Sequence, residues 1–262
     1  MDRLVLPTRY PAAQYGQYVR ASSLIALPVT QIRATVLRVM YPTLTSHRSH
    51  PALFGATYAS AIANALIFGS YAASLLFSLG ADMVIALLGP NWHTAGGYLS
   101  VISLAIPFSL VAGLTPAVLQ SVGRTGRQFL FATATFITFL AAVTLGGMGS
   151  LTAVAWSMNA AQLLTALMAI QFCRRFTGLS WRALSLRCWR SVLSSGLVGA
   201  AAYYAQGMDA FSGTLITLIA GLATWIAAAT ALVFLVDKRA RALVLSARRG
   251  DRRSAAPTPV AD

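Results

Sequence analysis

The chain reads as an all-α bundle of about seven membrane-spanning helices, and three observations carry that reading. Hydrophobic residues make up 57% of the 262 positions and charged ones only 10%, well under half the share of about 25% in soluble domains. Mean hydropathy is +0.67. The apolar residues also lie in long unbroken runs, each near the roughly 20 positions a helix needs to cross a bilayer. Alternation of apolar and polar residues over about ten positions, the mark of a membrane β-barrel, is missing from these Ala- and Leu-rich runs.

The seven runs are 16–43, 54–80, 95–121, 128–148, 150–173, 189–206 and 212–236. They divide the chain into five parts. Residues 1–15 hold the end of a preceding helix and an outer loop, and 16–173 hold five transmembrane helices. Residues 174–188 form a basic amphipathic linker in which Trp181, Leu184 and Leu186 alternate with arginines, suited to an anionic membrane surface. Residues 189–236 hold two more spans, and 237–262 a basic tail. A second interfacial segment is expected at 82–88, before Gly89-Pro90-Asn91-Trp92. Pro28 sits mid-way along the first span and is expected to kink it, while Pro107 and Pro116 interrupt the third.

Charge sets the orientation. Lys and Arg total 20 against six Asp and no Glu, a net charge of +14. Fifteen of the 20 lie in the loop 44–53, the loop 122–127, the stretch 174–190 and the tail. The alternate loops, near 81–94, 146–150 and 207–211, have none and hold Asp82 and Asp209 instead. Basic loops stay in the cytoplasm. The expected topology is therefore a multi-pass membrane protein with its N-terminus outside and its C-terminus in the cytoplasm. A basic chain can also signal nucleic acid, but these charges sit between apolar runs, so no nucleic-acid partner is expected; membrane lipids are.

Few residues could carry chemistry. Two cysteines make neither a disulfide framework nor a metal cluster. His47 and His50 share a loop that has no acidic or cysteine neighbour. No phosphate-binding loop, zinc signature or paired carboxylate occurs. The expectation is a protein that is not an enzyme, with no cofactor and no metal.

The informative residues are polar ones inside the first span. An arginine near the bilayer centre costs about 2.5–3.5 kcal/mol on insertion scales and so faces water or a partner. At about 100° per residue, Arg20, Gln31 and Arg38 share one direction, flanked by Gln17, Ser23 and Thr35, while Arg33 points elsewhere. Arg20 and Arg38 are about 27 Å apart along the axis, nearly the thickness of the hydrocarbon layer. No acid occurs in any of the seven runs. A space lined by arginines without acids attracts an anion, and a phosphate or pyrophosphate suits the bidentate guanidinium. Ser60, Asn64 and Tyr71 share one face of the second span, and Asn159 and Gln162 lie in the fifth; such neutral groups commonly join helices.

The order of short elements along 1–190 resembles the polysaccharide-transporter branch of the multidrug/oligosaccharidyl-lipid/polysaccharide exporter superfamily. Asp2-Arg3-Leu4 is similar to the element that ends one helix there. Gly16-Gln17-Tyr18-Val19-Arg20-Ala21 is similar to the element that opens the next, and Arg38-Val39-Met40-Tyr41-Pro42-Thr43-Leu44 to the one that closes it. Leu87-Leu88-Gly89-Pro90-Asn91-Trp92 and Ser121-Val122-Gly123-Arg124 resemble two later turns. The sequence departs at Pro7, where the family usually has Gly, and at Val19, where Ser is usual. The resemblance implies the C-terminal lobe of the exporter fold plus two extra helices, with a separate N-terminal lobe as a partner. It further implies flipping of a polyprenyl-pyrophosphate-linked oligosaccharide for lipopolysaccharide, capsule or exopolysaccharide. On that map Arg20, Arg33, Arg38 and Gln31 are the substrate-binding candidates. Two alternatives stand beside it: half of a multidrug-type antiporter, and a membrane fragment that does not transport.

Overall fold

The computed structural model describes residues 6–47 and 50–178, with Trp189 and Leu193 beyond them. Apart from two short 3-10 turns, at Leu6–Thr8 and Pro90–Trp92, six helices account for these residues: α1 (Ala12–Ser46), α2 (Pro51–Leu88), α3 (His93–Ser103), α4 (Ile106–Ser121), α5 (Thr125–Gly146) and α6 (Leu151–Thr177). Four of them, α1, α2, α5 and α6, are long and apolar enough to cross a membrane, and α3 with α4 makes a fifth span if the bent pair counts as one. The first five predicted runs therefore correspond to helices. The runs 189–206 and 212–236, most of the linker 174–188 and the tail lie outside the described residues.

One interruption expected in the run 95–121 is absent: α4 continues as helix through Pro116. The other, at Pro107, is present: the run breaks between Ser103 and Ile106, and its halves differ in direction by 53°. The cause is Pro107, which has no N–H to give the Ser103 carbonyl one turn back. The chain tightens instead into three-residue bonds, from Leu104 N to Val101 O (3.3 Å) and from Ala105 N to Ile102 O (3.1 Å). Nor is 82–88 a separate interfacial segment. It is the last part of α2, which runs on to Leu88 and ends where Gly89 takes φ +94°. Asp82, the only acid among the described residues, thus belongs to a helix rather than a loop. At Pro28, α1 continues as helix.

Helices pack through small residues, as expected where no water drives them together. A Cβ on Gly69 would lie 2.5 Å from the Cα of Pro107, and one on Gly96 would lie 2.6 Å from the Cα of Ala81. Gly55 meets the Thr177 carbonyl, tying the start of α2 to the end of α6. Four clusters fill the interior, one of them Ala112, Leu119, Phe131 and Ala169 between α4, α5 and α6. Met40, Leu44, Tyr58, Ile62, Leu114 and Ile170 join α1, α2, α4 and α6 at one end. Ala21, Ile25, Ala73, Val84, Leu99 and Ile106 fill the other half of the α1–α4 region. Leu6, Tyr18, Val143 and Leu151 clamp the N-terminal turn against the α5–α6 hairpin. The Tyr10 hydroxyl adds a bond to the Gly149 carbonyl (2.9 Å).

The two ends of the bundle differ in charge. Arg124, Arg127, Arg174 and Arg175 gather at one end, where the Arg127 guanidinium stacks over Phe176, 4.8 Å from the ring centroid. Arg174 and Arg175 occupy the last turn of α6, favourable for its dipole, and Gly178 closes that helix in the left-handed conformation (φ 61°). The opposite end carries fewer charges: Asp82, and Arg9, which donates Nη1 to the Gly147 carbonyl (3.4 Å) at the α5–α6 turn, where the Ser150 hydroxyl accepts from Ala153 N (3.2 Å). Alternating loop charge thus becomes a sided molecule.

Candidate functional site

The first helix carries all four predicted site residues, and each is exposed. Its buried side chains show which way they face. Taking Tyr18 as zero, Ala21 and Ile25 fall at about 300° and 340°, and Met40 and Leu44 at about 40° and 80°. Arg20, Gln31 and Arg38 fall at about 200–220°, outside the arc from about 300° to 80° that these occupy. The stripe is real, but it looks away from the other five helices. The Arg38 Nε turns back to the Ala34 carbonyl (3.4 Å). Gln17, beside the stripe, donates to the Asn91 carbonyl (3.4 Å).

Arg33 falls at about 60°, between Met40 and Leu44, on the side of α1 that faces the bundle. Its aliphatic stem crosses α4 at Gly113, where even a Cβ would overlap Cδ. Any larger residue at 113 would close that passage. The arginine thereby becomes a shared wall of two cavities.

The first cavity, about 560 Å³, lies between α1 and α2 with Leu110 and Leu114 of α4 beneath. Ile32, Val36, Met40 and Phe68 line it, and Ser60 and Asn64 of α2 supply its polar edge. Tyr71, predicted on that same face, is buried. The second cavity, about 460 Å³, lies between α1, α4, α5 and α6, and its wall is more polar: Ser109, Thr135, Gln162 and Thr165 join Arg33. Pro116, inside α4, also lines it and withholds the N–H that the Ala112 carbonyl would otherwise receive.

Electrostatically the region is one-signed. The single described acid, Asp82, lies far along α2 from the residues that line the first cavity, and none lines either space. A guanidinium with no ion-pair partner among the described residues, set against mostly apolar walls, attracts a compact anion with oxygens to share. No group of three or more His, Cys, Asp or Glu able to hold a metal occurs among the described residues.

The comparisons with known proteins meet this helix directly. Residues 1–97 match the family model of polysaccharide biosynthesis proteins. The match covers a little over a third of the chain and shows what that part is similar to. The match takes in α1, α2 and the opening of α3, so Arg20, Gln31, Arg33 and Arg38 all fall inside it. No curated protein and no solved structure matches the chain. The long apolar helices point to a membrane protein, and its first third is similar to polysaccharide biosynthesis proteins.

Beyond the matched residues, sequence reading missed two positions. Gly113 and Thr135 have neutral side chains or none, and nothing in their neighbourhood marks them. Gln162 was visible as a polar residue in a span, but it reads as a link between helices. Asn159 does serve as such a link, donating Nδ2 to the Val101 carbonyl at the α3–α4 bend (2.8 Å). The clue available in sequence was Pro116, which frees a carbonyl one turn after the third span's first proline.

Proposed function

We propose that the chain takes part in moving a lipid-linked oligosaccharide across the bacterial inner membrane for surface polysaccharide assembly, with Arg33 holding the phosphate that joins lipid to sugar. The observation that carries this reading is the seat of Arg33: a guanidinium without an acidic partner among the described residues, set over Gly113 between two cavities. A charge-assisted, bidentate contact to phosphate contributes about 1.5–3 kcal/mol, enough to retain an anionic headgroup while the uncharged walls admit the rest of the molecule. Arg20, Gln31 and Arg38 occupy the far side of α1. We assign them to a wet cleft shared with a separate N-terminal lobe, where an arginine escapes the cost of hydrocarbon. The basic end of the bundle then faces the cytoplasm.

The test is export in cells that depend on this protein. Arg33→Ala is expected to lower surface polysaccharide about tenfold or more and to accumulate the lipid-linked intermediate, with the protein still present in the membrane. Arg33→Lys, which keeps the charge but loses the fork, is expected to fall between. Wild-type export in Arg33→Ala overturns the reading.

A further inference from the structure

The arginines at the end of the bundle where α5 begins and α6 finishes have nothing nearby to neutralise them. No acid occurs in the sequence between Asp82 and Asp209. Among the described residues, the side chains of Arg124, Arg127, Arg174 and Arg175 make no ion pair or hydrogen bond. The first turn of α5 has neither an acid nor a side-chain cap, so its own N–H groups add to the positive field.

Two of these arginines meet in the groove between the helices. The Arg127 guanidinium lies over the Phe176 ring, and that ring packs against the interior cluster of Ala112, Leu119, Phe131 and Ala169. The cation is thereby seated on a fixed surface, with N–H donors left over. Arg175 adjoins Phe176 in the chain. At about 100° per residue, Arg175 points in the direction of Ser157, whose hydroxyl donates to the Ala142 carbonyl of α5 (2.8 Å). Arg175 is therefore on the side of α6 that meets α5. Arg174 points about 100° away from it. Below the pair the surface is apolar and open. Leu164 falls within about 20° of Arg175 and about 16 Å deeper along the axis, and Leu130 is one turn below Arg127; both are exposed.

We propose that this groove docks an anionic phospholipid of the surrounding bilayer, with its phosphate held by Arg127 and Arg175 and its acyl chains lying against Leu130 and Leu164. Two guanidiniums on adjacent helices suit phosphate oxygens, and basic sites between spans take lipid headgroups. The depth of Leu164 is about half the roughly 30 Å hydrocarbon layer, the reach of one leaflet. Free phosphate gains nothing from the exposed leucines. An acidic peptide laid along them would bring backbone polar groups into hydrocarbon.

The experiment is native mass spectrometry of the full chain with phosphatidylglycerol or with phosphatidylcholine as the added lipid. Wild type is expected to retain phosphatidylglycerol about tenfold more tightly or better. Arg127→Ala combined with Arg175→Ala is expected to weaken phosphatidylglycerol about 25-fold, near fivefold for each arginine, and to leave phosphatidylcholine unchanged. Arg174→Ala removes the same charge from the same turn but from outside the groove, and is expected to weaken phosphatidylglycerol less than about twofold. Equal losses from Arg174→Ala and Arg175→Ala, or equal retention of the two lipids by wild type, overturn the site. As a measurement with all four arginines in place, a benzophenone side chain at 130 should photolabel phosphatidylglycerol in nanodiscs. Labelling of a polypeptide in its place, residues 189–236 of this chain included, overturns the proposal.

Discussion

Arg33 lies across Gly113, its methylenes occupying the space that any side chain at 113 would need. A cation from one helix is thereby carried over the bare backbone of another, into reach of two cavities. The contact makes Gly113 a positioning residue for the arginine. Gly113→Ala is expected to displace the Arg33 stem, which can swing aside, and so to weaken binding of a phosphate-bearing lipid about as much as Arg33→Ala does. The melting temperature should change little, because alanine gains up to about 1 kcal/mol in helix propensity against the cost of moving one flexible side chain. Undiminished phosphate binding in Gly113→Ala shows that the seat is not needed.

Gly69 presents the opposite case. Its neighbour is the backbone of Pro107 at the head of α4, with 2.5 Å left for a Cβ. Neither backbone can swing away. Gly69→Ala is expected to destabilise the bundle by about 1–3 kcal/mol, read as a lower melting temperature in detergent. Gly16→Ala in α1, where a Cβ meets nothing within 4 Å, should be neutral or stabilising. Equal melting of the two variants contradicts the close packing of α2 on α4.

The bend between α3 and α4 rests on Asn159, whose amide bonds the Val101 carbonyl at 2.8 Å. Asn159→Leu is expected to cost about 1–3 kcal/mol and to speed amide exchange at Leu104 and Ala105, whose N–H groups bond Val101 and Ile102. Unchanged exchange at those two amides means that Pro107 alone holds the bend.

Sidedness can be read by labelling. Met148, 78% exposed in the α5–α6 turn, and Arg124, exposed before α5, lie at opposite ends of one span. In a chain with Cys173→Ala and Cys188→Ser, a cysteine at 148 should react with an impermeant maleimide outside the cell, and one at 124 only after permeabilisation. Native Cys173, fully buried, should resist the reagent even then. Labelling of both positions from one side breaks the topology; reversal of the two inverts it.

Much of this was legible before any coordinates. Continuous apolar runs specify helices because a bilayer leaves the backbone no other partner than itself, and five runs correspond to helices within a few residues. The placement of arginines in alternate loops foretold a bundle with one basic end. The bend was only half legible: Pro107 announced a weak point, but a proline near a helix start is as well suited to opening a helix as to breaking one. The extension of α2 past Asp82 was hidden by the charge itself, since an acid reads as the end of an apolar run.

The order of apolar stretches, their punctuation by glycine and arginine, and the angular stripe of Arg20, Gln31 and Arg38 were determined by the sequence alone, because each is a property of one helix and its 3.6-residue period. Which side of that helix meets its neighbours was decided only by the tertiary structure, because burial depends on residues far away in the chain. Packing on α4 turned Arg33, the arginine off the stripe, between two cavities, and left the stripe itself on the outside. A glycine 80 residues further along made that possible by having no side chain, and nothing in a one-dimensional pattern marks where an absence will be filled.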